Sequence, residues 1–309
     1  MSLRLVLCLI VALFVSGCGS APPARPDLPP LTPLAELPDH YRELWGAWLE
    51  EAPDWNERRQ ACGQDPAACT FLVENLAAVF LGSYPRSELQ AHGSGGHGFF
   101  ERARAELLIL KEDSVPTLME LHVTGDGATA YLTAEVLTAI GTATIPACLE
   151  CMDRPQVQAR RRAVHLLGQL PYGHDLEPQV RSALAGCLAQ DEDWLVRKSA
   201  AVVLAQRGGR HTILHPARKA LARALNDPNQ AVACAAATGL AGLHDPRAVP
   251  DLIGFLRQAE RDSAFALYRI AQEALQTLTD TRGRRSVREW GAWYRTWDAG
   301  RKKTGDPDN

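Results

Sequence analysis

Several patterns are missing from this chain of 309 residues, and each absence narrows its function. No stretch shows sustained alternation of apolar and polar residues, so no β-sheet is expected. The fingerprints of serine hydrolases, P-loop proteins and dinucleotide-binding proteins are absent. The formal net charge is only −3 and both signs are scattered, which argues against a nucleic-acid-binding surface. The sequence therefore predicts no enzyme activity, no cofactor and no nucleic-acid partner.

The beginning of the chain is typical of an export signal. Residues 5–15 form an unbroken apolar run, which is shorter than the roughly 20 residues that span a bilayer but suits the core of a signal peptide. The motif Val15-Ser16-Gly17-Cys18 follows directly and resembles the lipobox of bacterial lipoproteins. The resemblance implies cleavage before Cys18 and acylation of its thiol and new amino group. Ordinary signal cleavage and an uncleaved anchor are the alternatives.

The resemblance to lipoproteins also implies a location. Two or three acyl chains would hold the protein firmly on a membrane of the bacterial cell envelope. No Asp follows Cys18, since the next residues are Gly19 and Ser20. By similarity to proteobacterial sorting, this favours the outer membrane, on its periplasmic side.

Composition divides the chain into six segments. Dense prolines after Cys18 prevent a helix and favour an extended tether. The predicted segments are a signal peptide (1–17), a lipid-anchored Pro-rich tether (18–39), N-terminal capping helices with a Gly-rich loop (40–98), repeats (99–280), a C-terminal capping helix (281–298) and a disordered tail (299–309).

The centre of the chain contains two copies of one unit. Val, Ala and Leu stand five, nine and thirteen residues after Asp191, and again after Asp227. Residues four apart share one face of a helix. A second apolar helix follows each copy, and self-similarity at about 35 residues indicates a helical solenoid. We therefore predict about six helix pairs, with Leu204, Leu240 and Leu275 in equivalent places of successive layers.

Two stretches carry a family resemblance. The sequence Asp-Pro-Arg-Ala-Val-Pro-Asp-Leu at 245–252 and the pattern Asp-x4-Val-Arg-x2-Ala-Ala-x2-Leu at 191–204 resemble HEAT repeats, and more closely the short bacterial units related to those of phycobilin lyases. The resemblance implies an all-α, α-α superhelix. Asp191 with Arg197 looks like the Asp and Arg pair that ties one repeat's turn to the next helix. Ala233 stands in place of that Arg in the second copy.

Both ends of the repeat region are atypical, as the open ends of a solenoid require. A helix is predicted over 40–51, with Trp45 and Trp48 on one side, and another over 68–81. A loop is predicted between Gly82 and Gly98. Near the other end, three tryptophans form one helical stripe, which indicates a cap over the last repeat or an exposed surface for a partner: Trp290, Trp293 and Trp297.

Cysteine and histidine pairs are the remaining candidates for chemistry. Cys62 and Cys69 flank a turn-rich segment, and an exported protein lies where disulfides persist, so we predict a disulfide between them. Cys148 and Cys151 could be a redox pair, half a metal site, or packed or disulfide-linked thiols. Two histidine pairs have unsuitable settings for a metal, so no metal site is predicted: His92 with His97, and His211 with His215.

The sequence-based hypothesis for function is a membrane-anchored lipoprotein that acts as a non-catalytic scaffold for another protein. The second helix of each pair is expected to line a groove, and four basic residues are the candidates for partner contact: Arg160, Arg161, Arg197 and Lys198. One alternative is a prosthetic-group lyase or chaperone, which rests on likeness of fold alone. The other is a structural component that bridges envelope layers.

Overall fold

The computed structural model describes residues 37–91, 97–171, 175–208, 214–283 and 285–304, and these contain helices and no strand. The helices before the repeats are α1 (Asp39–Leu49), α2 (Trp55–Cys62), α3 (Pro66–Phe80) and α4 (Arg86–Ala91). The repeat region contains α5 (His97–Leu110), α6 (Val115–Thr124), α7 (Gly127–Ile140), α8 (Ile145–Met152), α9 (Val157–Gln169), α10 (Glu177–Gln190), α11 (Trp194–Gly208), α12 (Leu214–Ala224), α13 (Gln230–Gly242), α14 (Val249–Arg261) and α15 (Phe265–Thr279). The last described helix is α16 (Val287–Thr304).

The repeat region alternates two kinds of helix. We call α6, α8, α10, α12 and α14 the first helices, and α5, α7, α9, α11, α13 and α15 the second helices. A proline stands at the start of α6, α8, α10 and α14, where its missing N–H leaves no helical hydrogen bond unmade. Short 3₁₀ turns precede three first helices: Lys111–Ser114, Gly141–Thr144 and Pro246–Ala248. These prolines in the sequence therefore mark the starts of four helices in the structure.

The predicted layering of the core is confirmed. Leu204, Leu240 and Leu275 are fully buried, each at 0% exposure, in α11, α13 and α15. These three second helices pack on one another in order, as do α9 and α11. The buried residues form one continuous apolar core that runs from α1 to α16. The all-α solenoid is thus the architecture of the described chain.

The region around α7 and α8 is the most apolar part of the described chain. The 26 residues Gly127–Met152 are long and apolar enough to cross a bilayer by composition alone. A 3₁₀ turn divides this stretch into α7 and α8, which pack against α6 and α9. Within the stack, 39% of its most apolar window is buried.

Tryptophans cap the N-terminal end, as predicted. Trp45 and Trp48 are buried and stack with their ring centroids 4.8 Å apart. The guanidinium of Arg102 from α5 lies 4.7 Å from the Trp48 ring centroid and also donates to the Trp48 carbonyl. These contacts hold α1 against α5, which is the second helix nearest the N-terminus.

The C-terminal end is capped by one tryptophan of the predicted three. Trp290 is fully buried, and its indole N–H donates to Gln272 Oε1 at 3.1 Å. Trp293 and Trp297 are half-buried and stack on each other with centroids 6.5 Å apart. The capping prediction holds for Trp290, while the other two rings keep part of their surface open.

Three details of the sequence-based prediction are wrong. The loop predicted between Gly82 and Gly98 contains α4, and α2 was not predicted at all. The predicted tail from 299 begins too early, because α16 continues to Thr304. The two missed helices are short and bury almost nothing, since only Cys62 is buried in α2 and no residue is buried in α4. Apolar periodicity therefore had little to detect in them.

Successive second helices approach closely because small residues lie between them. A Cβ placed on Gly239 of α13 would lie 3.0 Å from the Ala205 Cβ of α11 and 3.3 Å from two methyl carbons of Leu221. A Cβ placed on Gly168 of α9 would lie 3.0 Å from a Val203 methyl carbon of α11. From α9 to α15, the second helices contact one another more extensively than the first helices do. The second helices therefore form the inner, concave layer of the solenoid.

This close packing leads to a prediction about Gly239. Gly239→Val would force three carbons into a filled space between α11, α12 and α13, and should lower the free energy of unfolding by about 1–3 kcal/mol. The matched control is Gly254→Val in α14, where a Cβ meets nothing within 4 Å. Because Val has a better helix propensity than Gly, the control should remain within about 0.5 kcal/mol of wild type. Urea denaturation followed by circular dichroism measures both, and equal effects of the two changes would contradict the packing argument.

Candidate partner-binding surface

Each second helix has a buried residue at its centre, and this fixes which side chains face away from the core. The central residues are all at 0% exposure: Ala103, Thr133, Ala163, Ala200, Ala236 and Ala271. A residue two positions away is rotated by about 200° around the helix axis. Side chains two or six positions before or after the centre therefore point away from the core. We call these positions, taken over all the second helices, the outward stripe.

Every large apolar side chain that is strongly exposed in the described chain lies on the outward stripe. Their exposed fractions are 50% for Ile109, 70% for Tyr131, 42% for Trp194, 40% for Val202 and 71% for Phe265. They belong to α5, α7, α11 and α15, and so are distributed along the stack. Isolated exposed apolar residues are ordinary on protein surfaces, so the feature to note is that all five share one face.

Two of the four predicted basic residues lie on this stripe. Arg161 and Lys198 stand two positions before the centres of α9 and α11. Both are partly exposed. The Arg161 guanidinium donates to both carboxylate oxygens of Asp193, at 2.9 and 2.7 Å, and 37% of its side chain remains exposed. Arg161 and Lys198 therefore stay candidates for partner contact.

The other two basic residues do not face the groove, which corrects the prediction. Arg160 is buried, and its guanidinium donates to both Asp191 carboxylate oxygens at 2.8 and 3.0 Å. Arg197 does the same to Asp227 at 2.7 and 2.9 Å. Each also donates to two backbone carbonyls of the turn before its own helix. Both side chains are used inside the fold, because they fold back along the helix into the turns.

The contacts of Arg160 and Arg197 form a ladder along the repeats. Each arginine forms an ion pair with the aspartate in the turn before the next second helix. The Asp191 carboxylate is therefore paired with Arg160 and not with Arg197. The sequence had suggested Asp191 and Arg197 as one pair. The ladder stops at Ala233, as the sequence indicated. One unit later, Arg218 and Arg247 approach Asp245 in the turn before α14 instead.

A second use of arginine was not predicted. Arg207 of α11 is buried and donates to the carbonyls of Leu167 and Leu170 at the end of α9. It also forms an ion pair with the buried Glu177 at the start of α10. Arg162 of α9 acts similarly, donating at 2.6 and 2.7 Å to the carbonyls of His122 and Gly125 at the end of α6. Both arginines satisfy carbonyls that a helix end leaves without partners. Each arginine lies 40 and 37 residues after its two acceptor residues. The two arginines occupy different positions in their own helices, so apolar spacing alone did not reveal them.

Arginine contacts lower the pKa of two aspartates, Asp193 and Asp227. The hydrogen bond from Arg161 lowers the pKa of Asp193 to about 2, against the opposing effect of burial. The Asp193 carboxylate also accepts from the Val196 N–H at 3.0 Å and so caps α11. Burial raises the pKa of Asp227, but the hydrogen bonds from Arg197 and the Asn229 N–H outweigh it and leave that pKa lowered. These carboxylates are therefore ionised structural groups over the ordinary pH range.

The described cysteines are not activated thiols. Burial is the largest cause of a raised thiol pKa in all of them: Cys62, Cys69, Cys148, Cys151, Cys187 and Cys234. A redox-active thiol requires the opposite shift. Cys148 and Cys151 are both buried in α8, which favours the interpretation as packed thiols. Cys62 and Cys69 are unbridged in the structure, so their disulfide stays a prediction.

The described residues contain no group of three or more His, Cys, Asp or Glu placed to hold a metal ion. The lipidation residue Cys18, the residues 92–96 of the Gly-rich loop and the residues 209–213 lie outside the described part of the chain. The side chains of His97 and His215 are likewise outside it. The predictions on these residues therefore stay predictions.

Comparison with known proteins agrees with the fold. A family described as HEAT repeats matches residues 115–205. The complex of CpcE and CpcF of phycocyanin lyase from Nostoc sp. PCC7120 is similar at 20% identity and a TM-score of 0.43, over 52% of this chain and 98% of that chain. Importin beta is similar at 19% identity and a TM-score of 0.41, over 78% of this chain and 32% of that chain. No curated protein matches the sequence. At these identities and scores, neither structural likeness bears on function.

The aspartate–arginine contacts give a pH prediction. An unfolded Asp has a pKa of about 3.9, whereas that of folded Asp193 is about 2, so the folded state favours its ionised form. The resulting stabilisation is present above about pH 4 and is lost as the pH falls towards 2. Arg161→Gln removes the largest cause of the shift. The difference in urea midpoint between wild type and this variant should therefore be largest near neutral pH. It should shrink as the pH falls from about 4 towards 2.

The control for this measurement is Arg223→Gln, because Arg223 is exposed on α12. It should leave the urea midpoint unchanged at every pH. A difference for Arg161→Gln that stays constant down to pH 2 would show that Asp193 is not the group responsible.

Proposed function

We propose that this chain is a lipid-anchored, non-catalytic scaffold of the bacterial cell envelope that binds another protein through its outward stripe. The single observation that carries the proposal is the confinement of the strongly exposed large apolar side chains to that stripe. The chain folds as an α-solenoid, and its residues 115–205 match HEAT repeats. Such a fold offers an extended surface along successive second helices.

The distribution of residue types supports a protein partner. Tyr131, Trp194 and Phe265 are aromatic, and aromatic side chains are enriched at protein interfaces. Arg161 and Lys198 lie among them and supply positive charge at the middle of the stack. The combination of spaced aromatic anchors and a few charges suits an extended protein surface better than a small molecule, which needs a closed pocket.

The pKa shifts in the described chain support a non-catalytic role. Asp193 and Asp227 are paired with arginines and have lowered pKa values, and the described thiols have raised ones. General acid–base catalysis needs a group with a pKa close to the working pH. The proposal therefore assigns partner binding, and not chemistry, to the outward stripe.

The binding proposal is tested by removing the aromatic anchors. The triple variant Tyr131→Ser, Trp194→Ser, Phe265→Ser should lose capture of the partner in a crosslinking pull-down from the native envelope, by at least tenfold. Because the three side chains are 42% to 71% exposed, the thermal midpoint should change little. Lys198→Glu should weaken capture as well.

The matched control is Lys219→Glu, since Lys219 is exposed on the first helix α12 and lies off the stripe. This charge reversal should leave capture unchanged. Equal capture by wild type and the triple variant, with the folded state intact, would refute the assignment of the stripe as the binding surface.

The anchoring proposal is tested at Cys18. Cys18→Ser should abolish labelling of the chain by an alkyne-tagged fatty acid in growing bacteria and move it from the detergent phase to the aqueous phase. Cys8→Ser changes a cysteine within the apolar run of the signal and should leave labelling intact. Unlabelled wild-type protein would exclude a lipoprotein, whatever the outcome for the outward stripe.

A further inference from the structure

We propose that Cys62 and Cys69 are joined by a disulfide bond that locks α2 of the N-terminal cap onto α3. Oxidation inside the cell rests on the proposed location in the envelope, where disulfides persist. The geometry of the pair rests on the structure alone. These two claims can therefore fail separately.

The backbone of the turn between α2 and α3 holds the two thiols together. Cys62 is the last residue of α2, and Cys69 lies in the first turns of α3. The Asp65 N–H donates to the Cys62 carbonyl, and the Cys69 N–H donates to the Asp65 carbonyl, each at 2.9 Å. The Asp65 carboxylate caps α3 by accepting from the N–H groups of Ala67 and Ala68. The two thiols lie close enough for each to affect the pKa of the other, and both side chains are buried.

Helix α2 is held by few apolar contacts. Cys62 is its only buried residue, and Trp55 at its other end is partly buried against the core. Its other anchors are polar and reach α5, where Trp55 Nε1 donates to Glu106 at 3.0 Å and Arg59 pairs with the same carboxylate at 3.1 Å. These polar contacts do not involve the last residue of α2, Cys62. A bond from Cys62 to α3 would fix that end of the helix.

The bond would form by exchange with an external disulfide, either of a protein oxidant or of oxidised glutathione. The thiolate of one cysteine attacks a sulfur of the oxidant, which gives a mixed disulfide and releases one thiol. The second cysteine attacks the protein sulfur of that mixed disulfide and releases the second thiol of the oxidant. Two protein thiols are oxidised, and one external disulfide is reduced to two thiols. Burial raises the pKa of Cys62 to about 12, so the exchange is favoured before the cap has packed.

Peptide mapping of the full mature chain tests the bond directly. The protein is refolded in a mixture of reduced and oxidised glutathione, denatured, blocked with N-ethylmaleimide and digested with trypsin without reduction. Cys62 and Cys69 fall in one peptide, residues 60–86. This peptide should carry no maleimide and weigh two hydrogens less than the reduced form. Cys148 and Cys151 should be labelled in the same sample, because they are packed thiols inside α8.

Limited proteolysis of the native chain tests the function of the bond. Trypsin should cut at Arg58 and Arg59 of α2 severalfold faster in Cys62→Ser, Cys69→Ser than in the oxidised wild type. Reduction of the wild type should produce the same increase. The matched control Cys187→Ser, in α10, should leave the rate unchanged.

The outcomes separate the two claims. Full maleimide labelling of Cys62 and Cys69 after refolding, in a chain that unfolds cooperatively, would overturn the disulfide. A bond formed in the purified chain supports it. If the same bond is present in protein trapped directly from cells, export is supported as well, whereas free thiols in that sample would contradict the envelope location and leave the chemistry of the pair standing.

Discussion

The close approach of successive second helices is the constraint on which the other features of this chain depend. Glycine at positions 168 and 239, where an added Cβ would lie 3.0 Å from a side-chain carbon of α11, lets these helices pack closely. Because their axes are close, an arginine of one second helix reaches the aspartate in the turn before the next second helix. The two side chains form an ion pair. With larger residues between the helices, that contact would not form and the turns would lose their order.

Because of this close packing, each second helix has one face that packs in the core and another, the outward stripe, that does not. One face is occupied by small residues and leucines that hold the layers together, and the arginines beside it are used in the turns. The outward stripe has no such duty. Apolar side chains exposed there, such as Tyr131 and Phe265, add nothing to the core and leave apolar surface in water. Under the proposed function, they are the side chains that contact the partner.

The sequence predicts the layers well and the polar contacts poorly, and both results have a physical reason. Repeated apolar spacing reports which face of a helix is buried, so the stack and both tryptophan caps could be predicted. Arg160 and Arg197 stand three residues before the central alanines, at the edge between buried and open faces. A long side chain at such an edge can turn either way, and periodicity cannot decide. The carbonyl contacts of Arg207 join segments 40 residues apart, which no local pattern encodes.

A buried, hydrogen-bonded tryptophan closes each end of the stack. This arrangement limits where a partner could bind. At each end a buried indole fills the last apolar face, while its N–H donates to a polar side chain: Trp45 to Tyr84 at 2.7 Å, and Trp290 to Gln272 at 3.1 Å. Each acceptor is itself hydrogen-bonded, Tyr84 to Glu88 and Gln272 to the Arg285 carbonyl. Another helix pair could extend the stack only by displacing these tryptophans and breaking both bonds. The capped ends therefore agree with the proposed binding at the side of the solenoid, where the outward stripe lies.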